Sequence, residues 1–325
     1  MSPGLLLVTG ATGLVGSHVC EQARRRGWNV RALVRPASDA TFLRSIGVEI
    51  VPGDLDDPSS LPEAVQGVTH LVHCAARVGD WGPAADYLRA NVGGLENLLG
   101  AFLVIGLRPH VVQISSLGVY PAGEHRGTDE TMPVSISGID GYTRSKVAAE
   151  EVLKERAAAG DLTCVLLRPG FLYGPRDRTV VPRLLARIRS GKFAFPGSGE
   201  KLVSNTYVGN LVDAVFLALD RPDLSGEAFN ITDGRLVTKR EFVAGVCAAA
   251  GLPCPTKHVP LGLVKIVAGV LEPVWRLLGK TTSPPVSQAA IKFMGYNLDF
   301  RIDKARTVLG YAPAVDFQEA IRGSV

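Results

Sequence analysis

The chain reads as an α/β protein: a doubly wound parallel sheet with a smaller C-terminal lobe. Two observations carry that reading. Short apolar runs recur through the N-terminal half, and each is followed by a segment of helical period. The alternation is regular to Gly174 and loosens beyond it. The boundaries drawn from this are 1–174 for the sheet domain, with 203–232 returning to it, and 175–202 plus 233–325 for the lobe.

Composition narrows the class. With 325 residues, 46% hydrophobic and 20% charged, the chain has the profile of a folded globular protein rather than a disordered one. A net charge of +4 with no block of Lys or Arg gives no reason to expect nucleic acid as a partner. The five cysteines (Cys20, Cys74, Cys164, Cys247, Cys254) are scattered, odd in number and free of any CxxC pair. Neither a disulfide framework nor a zinc site is expected, and a reducing cytoplasm fits. No basic stretch followed by a long apolar run opens the sequence, so no signal peptide is expected. His18, His70, His110, His125 and His258 show no ligand spacing, and His73 suits a satisfied core histidine, so no metal is expected.

Gly4 to Thr9 (GLLLVT) is the first buried strand. It runs into Gly10-Ala-Thr12-Gly13-Leu14-Val15-Gly16, and Ser17 to Arg26 then follows with helical spacing. Strand, glycine turn and helix form the context of a dinucleotide fingerprint. The glycines let the backbone approach a pyrophosphate, and the helix start offers N–H donors and a positive dipole end. The spacing is GxxGxxG rather than GxGxxG; the bland alternative is a tight turn that holds nothing.

Asn29 to Val34 is the second strand. Where an NAD-binding chain usually ends this strand in an acid, this one continues Val34-Arg35, with Ser38 close behind. No carboxylate stands there to repel a 2′-phosphate, and a guanidinium is available to bind one. NADP(H) is therefore the preferred cofactor, with NAD(H) as the second choice. The third strand, Val48 to Val51, leads to Gly53-Asp54-Leu55. Asp54 suits the adenine amino group, or else a turn before Pro58. The fourth, Thr69 to Cys74, is followed by Ala75 and Ala76, small enough to let a cofactor lie over the strand end. Asn91 begins a helix, NVGGLENLL. Val111 to Ser116 is the fifth strand and Val165 to Leu167 the sixth, and Phe229 to Thr232 suits an edge strand. Beyond Gly174, helices are expected over Val180–Ser190, Asn210–Leu219 and Lys239–Ala250, with a loop over Phe193–Gly199. Leu261 to Leu278 is strongly apolar but broken by Lys265, Glu272, Pro273 and Arg276, too broken for a membrane span. It suits a core helix, a lid over a greasy substrate, or an interfacial helix that touches a membrane surface.

Ile139 to Val152 (IDGYTRSKVAAEEV) places Tyr142 and Lys146 four residues apart, on one face of a helix. A nearby ammonium favours a phenolate and so lowers a tyrosine pKa toward a useful working range. Tyr-x-x-x-Lys by itself is a weak signal.

In combination, the glycine turn, the serine-ended strand and Tyr-x-x-x-Lys resemble the extended short-chain dehydrogenase/reductase family, whose fold is of the Rossmann type. Asn91 in its helix, SSLGVY at 115–120, LRPGFLYGP at 167–175 and TYVGNLVDA at 206–214 add to it. The last resembles the 3β-hydroxysteroid dehydrogenase branch, as do HCAARVGDW at 73–81 and the tail YNLDFRIDKARTVLGYAP. Sugar-nucleotide epimerases usually carry an aspartate where this chain has Asn210, and Arg35 resembles the dihydroflavonol-reductase-like branch instead. What the resemblance implies is a Ser116–Tyr142–Lys146 triad. Tyr142 moves the proton, Lys146 supports the phenolate and the nicotinamide ribose, and Ser116 donates to the carbonyl oxygen. Ser115 faces the other way because strand side chains alternate. Pro169, Gly170, Phe171 and Leu172 line the carboxamide end of the nicotinamide. Asn91 matches a water-holding position of classical members, but here it reads as structural.

The leading expectation is a secondary alcohol–ketone oxidoreductase acting on a hydrophobic substrate such as a 3β-hydroxysteroid or triterpenoid. The alternative is an epimerase that retains NAD, with Arg176, Arg178 and Arg183 as phosphate ligands. A non-catalytic NADP sensor is disfavoured because the Tyr–Lys pair is kept. In relatives the helices around 91–105 and 142–158 pair, so a homodimer is expected.

Overall fold

The computed structural model describes residues 4–79, 81–135, 140–280 and 282–325. Asp80 and Ile139, quoted above, lie outside them. Seven strands build the main sheet: Leu5–Thr9 (β1), Asn29–Val34 (β2), Glu49–Pro52 (β3), Val68–His73 (β4), His110–Ile114 (β5), Thr163–Pro169 (β6) and Ala228–Ile231 (β7). All pair in parallel, in the order β3-β2-β1-β4-β5-β6-β7. The winding reverses between β1 and β4, which opens a crevice at their carboxyl ends, where open α/β sheets bind ligands.

The principal helices are Leu14–Arg25 (α1), Gly94–Val104 (α2), Gly141–Ala158 (α3), Val180–Arg189 (α4), Val208–Leu219 (α5), Lys239–Ala249 (α6), Leu261–Leu277 (α7) and Gln288–Met294 (α8). Strand side chains alternate between two apolar layers. Leu6 and Val8 of β1, with Val112, Ile114, Val165 and Leu167, enter the layer under α1 and α5. Leu7, with Val111, Cys164 and Leu166, enters the opposite layer under α2 and α3. A third cluster (Tyr173, Val181, Phe242, Val246, Phe317, Ile321) forms the lobe core.

Three differences from the sequence expectation have local causes. Ser115 and Ser116 stand just beyond β5, because Ser116 caps a short 3₁₀ turn, Leu117–Val119, and ends the ladder. The segment 193–199 is not all loop: Phe195–Pro196 pairs with His258–Val259, which gives its backbone partners. The apolar segment at 261 is a helix (α7), but not a core helix: Ala268 is its one fully buried residue. Leu263, Val264 and Val267 roof a cavity, while Ile266, Val270 and Leu277 face outward. No helix among the described residues is long and apolar enough to cross a membrane.

α3 is seated by a buried ion pair. Glu150, one turn beyond Lys146, accepts from Arg168 Nε (3.0 Å) and Nη2 (2.6 Å) and from Ser115 Oγ (2.5 Å). Arg168 Nη1 donates to the Tyr120 hydroxyl (2.9 Å), which donates to Asn230 Oδ1 (2.8 Å). One network thus joins the ends of β5, β6 and β7 to α3. Removing one member of such a pair strands a charge, whereas replacing both by apolar groups need not. Glu150→Ala should lower the unfolding free energy in urea by about 3–5 kcal/mol, and Glu150→Leu combined with Arg168→Met should recover most of it. A loss below about 1 kcal/mol, the range of an exposed pair, would show that the pair does not seat the helix.

Candidate active site

The glycine turn has a distinct reason for each glycine. Gly10 sits at φ 63°, and a Cβ there would lie 2.7 Å from the Ala75 nitrogen. A Cβ on Gly16 would lie 2.3 Å from the Gly10 carbonyl oxygen. Gly13 is exposed and its N–H donates to Gly10 O (3.0 Å). α1 begins with no side-chain cap and no acid in its first turn. The first N–H groups of a helix lack intrahelical partners, and here an anion is what they suit. The turn abuts Ala75, and Ala75 N–H donates to Thr9 Oγ1 (3.3 Å). Thr12, Leu14 and Val15 complete it. A cradle that side chains would fill, lying at the crevice of the sheet, fits a dinucleotide.

At the far end of the crevice, Arg35 is exposed after β2 and forms no ion pair among the described residues. Asp39, nearby, is engaged by Thr41 N–H (2.9 Å). Asp54 is half-buried, and its Oδ1 accepts from Asp56 N–H (3.1 Å), so part of its carboxylate holds a turn. Leu55 packs on Gly94 of α2 and its carbonyl accepts from Asn97 Nδ2 (2.8 Å). Ala76 is half-buried behind Ala75.

Asn91 lies in a π-helical turn, Arg89–Gly93, ahead of α2. It accepts from Arg77 N–H (2.6 Å) and donates to Arg77 O (3.1 Å) and Ser145 Oγ (2.8 Å). All its hydrogen bonds tie the loop after β4 to α3. His73 is buried against Thr9 Oγ1 (2.8 Å), and burial pulls its pKa down to about 3, which keeps the ring neutral. Among the described residues no cluster of His, Cys, Asp and Glu could hold a metal.

α3 is capped by Asp140, whose carboxylate accepts from Thr143 N–H (2.7 Å). That start places Tyr142 in the first turn and Lys146 one turn on. Ser116 lies where it favours the Tyr142 phenolate, while Ser115, on the other side, donates to Glu150. Lys146 is buried; its Nζ donates to Ile114 O (2.8 Å) and lies 5.9 Å from the Tyr142 ring centre. The electrostatics differ from the sequence expectation. Burial pushes the Tyr142 phenol up to about 12, the nearby Ser116 hydroxyl offsets only part of that, and the Asp140 carboxylate adds to it. Burial also pulls Lys146 down to about 8. Desolvation disfavours both charged forms and sets the direction of both shifts.

Pro169 ends β6. Gly170 N–H donates to Thr206 Oγ1 (2.9 Å), and a Cβ on Gly170 would lie 2.0 Å from Ser204 O. Phe171 and Leu172 follow, paired in parallel with Asn205–Tyr207. Ser116, Pro169, Gly170 and Phe171 line one cavity together with Lys292 and Phe293. Phe171 and Phe293 also wall a second, apolar cavity of about 470 Å³ under α7, where Val180, Phe242, Val264 and Val267 add to the lining. Sequence reading missed Lys292 and Phe293, which stand on α8 in a stretch (QAAIKFMGY) with no motif to mark them. The three arginines considered as phosphate ligands line neither cavity. Arg176 instead donates to Ser17 Oγ (3.2 Å) and Glu21 Oε2 (2.8 Å) on α1.

Comparison with known proteins agrees with this fold. The family described as NAD dependent epimerase/dehydratase matches residues 6–232. The 2-alkyl-3-oxoalkanoate reductase of Shewanella oneidensis is 32% identical over 97% of this chain and 84% of its own length. The decarboxylating sterol-4-alpha-carboxylate 3-dehydrogenase of Mus musculus is 26% identical, over 98% and 89% respectively. The UDP-glucose 4-epimerase of Thermus thermophilus, solved with NAD, superimposes with a TM-score of 0.77 at 26% identity, over 98% of this chain and 97% of that one.

The Lys146 shift sets a pH dependence. Folded Lys146 releases its proton near pH 8, whereas an unfolded lysine keeps it to about 10.5. Between those values the unfolded state binds more protons, so stability rises with pH. Relative to Lys146→Met, the wild-type protein without cofactor should gain a few kcal/mol, roughly, in unfolding free energy from pH 8 to 10.5. A difference that stays flat across the window would show that the ammonium is not desolvated.

Proposed function

The chain belongs to the NAD dependent epimerase/dehydratase family and is an NAD(P)-dependent enzyme, and from that premise we propose that it interconverts a secondary alcohol and a ketone on a hydrophobic small molecule. The observation that supports this most is the placement of Ser116 where it favours the Tyr142 phenolate, in a site that shares Phe171 and Phe293 with an apolar cavity. Residues 175–202 and 233–325 act as the substrate lobe. The names of the two oxidoreductase relatives place the reacting oxygen β to a carboxylate, so 3-oxo and 3-hydroxy acids with large apolar groups are the substrates to try. An epimerase acting on a sugar nucleotide would need cations for a diphosphate; the arginines considered for that role line neither cavity, and Arg187, Lys192 and Lys239 stand in the lining of the apolar one instead.

The bound nicotinamide supplies the hydride acceptor or donor. The chain's own residues do the rest. In reduction, the Tyr142 hydroxyl gives its proton to the substrate oxygen. Ser116 donates a hydrogen bond to that oxygen, where negative charge grows. The Lys146 ammonium would favour the phenolate left on Tyr142 and would hold the nicotinamide ribose. A phenol held near 12 is protonated at neutral pH, the form that gives a proton in the reduction direction. Tyr142→Phe should cut turnover by about 10²–10⁴-fold while the dinucleotide still binds. Normal turnover in that variant would end the proposal.

We infer NADP(H) preference from Arg35, which is exposed, unpaired among the described residues and placed after β2. Arg35→Asp should weaken NADPH binding by about 10–100-fold, the range of a charge-assisted hydrogen bond. An equal loss of NADH binding in a direct titration would sink the assignment.

A further inference from the structure

Lys292 is a cation that the hydride and proton transfers do not use. It stands on α8 and is 8% exposed. Its Nζ donates to Gly118 O (2.7 Å) and to Thr143 Oγ1 (3.1 Å). Both acceptors are neutral, and no carboxylate among the described residues comes within 4.0 Å of it. The carboxylate that its charge feels most is Asp140, which is engaged in capping α3 through Thr143 N–H (2.7 Å) and Thr143 Oγ1 (3.2 Å). An ammonium carries three donors, and two are accounted for. A buried charge without a counter-ion is costly, and such groups concentrate at functional sites.

Its position is equally specific. The Gly118 N–H donates to Ser116 Oγ (3.0 Å), and Thr143 follows Tyr142 directly. Lys292 thus holds the neighbours of both reacting side chains and lines the same cavity as Ser116. The other polar side chains of that cavity have partners within the protein. Ser204 donates to Leu298 O (2.6 Å), Tyr120 to Asn230 Oδ1 (2.8 Å), and the His125 ring nitrogens meet Thr128 Oγ1 (3.1 Å) and Pro121 O (3.0 Å). Ser116, which accepts from Gly118 N–H, keeps its hydroxyl hydrogen for a ligand, and Lys292 keeps its third donor. Phe171 and Phe293 mark the way from there to the apolar cavity, their ring centres 6.1 Å apart.

We propose that Lys292 is a specificity-determining residue that binds a substrate carboxylate flanking the reacting carbon, while the apolar remainder passes Phe171 and Phe293 into the cavity under α7. This rests on the oxidoreductase reading above and adds a residue to it. Hydroxyl to Ser116 and Tyr142, carboxylate to Lys292 and chain to the cavity make a three-point fit, which would also select one stereoisomer of a 3-hydroxy acid.

The test separates charge recognition from a merely structural pin. The full chain, as wild type, Lys292→Met and Lys292→Arg, is assayed with NADP⁺ on 3-hydroxytetradecanoate and on its methyl ester. In wild type the acid should lead in kcat/KM. In Lys292→Met the acid-to-ester ratio should fall by about 10–100-fold, as expected for a lost charge-assisted hydrogen bond, and Lys292→Arg should restore most of it. A structural pin would lower both substrates together and leave the ratio unchanged, and that result overturns the proposal. A parallel titration follows intrinsic fluorescence with tetradecanoate and tetradecanol in the presence of NADP⁺. Loss of the preference for the acid in Lys292→Met supports the assignment even if no substrate turns over, whereas absent turnover of every substrate by wild type sinks the oxidoreductase reading instead. Equal wild-type affinity for acid and alcohol overturns the Lys292 assignment. If Lys292→Met does not fold, Lys292→Gln, which keeps a donor toward Gly118, is read by the same ratio.

Discussion

The buried pair of Glu150 and Arg168 is the contact on which the rest of the site depends. Two parallel hydrogen bonds fix the rotation of α3 about its axis, and a helix fixed at Glu150 is fixed one turn earlier at Lys146. Arg168 is on β6 and reaches Tyr120 and, through it, Asn230 on β7. Ser115 closes the same network from the end of β5. Ser115 therefore anchors the helix, and the next serine lies beside the tyrosine carried by that helix. A planar guanidinium suits the task better than a lysine, because only a fork resists rotation.

Preorganisation at this site has an electrostatic cost, visible in the two side chains that the proposed chemistry needs. Burial lifts the Tyr142 phenol and depresses the Lys146 ammonium, so without cofactor both rest in forms closer to neutral. The same dry surroundings strengthen any charge that later arrives. Active sites are where such unfavourable burial is tolerated, and the surrounding layers, apolar on both faces of the sheet, hold it in place.

At the joint between sheet and lobe an amide completes the partners of a buried carboxylate. Asn210 of α5 is buried and donates to Asp233 Oδ1 (2.8 Å). Asp233 also accepts from Tyr207 N–H (2.8 Å), the Tyr173 hydroxyl (2.9 Å) and Asn205 Nδ2 (2.7 Å). An aspartate at 210 would set two carboxylates against each other here. An amide in its place completes the donor set of Asp233 and fastens β7, α5 and the strand Asn205–Tyr207 to one another. Above this joint the aromatic cluster of Tyr173, Phe242 and Phe317 supports the wall of the apolar cavity.

Much of this was legible in the order of residues, and the limits are physical. Strands buried on both faces are continuous apolar runs, and a turn that needs positive φ or close backbone approach admits only glycine, so the sheet and its crevice could be read locally. Tyr142 and Lys146 share a helix, so their pairing follows from a spacing of four. Chain order alone leaves open contacts made across long separations: the pairing of Glu150 with Arg168, of Asn210 with Asp233, and the arrival of Lys292 beside Ser116. It also leaves open the sign of the Tyr142 shift. Sequence spacing reports the distance to a neighbouring charge, but only packing reports how much water has been removed, and here the removal of water was the larger effect. The chain by itself determined that a dinucleotide fold would place a tyrosine and a lysine on one helix face. The tertiary structure decided what surrounds them, because burial and long-range charge are properties of the packed whole and not of any local stretch.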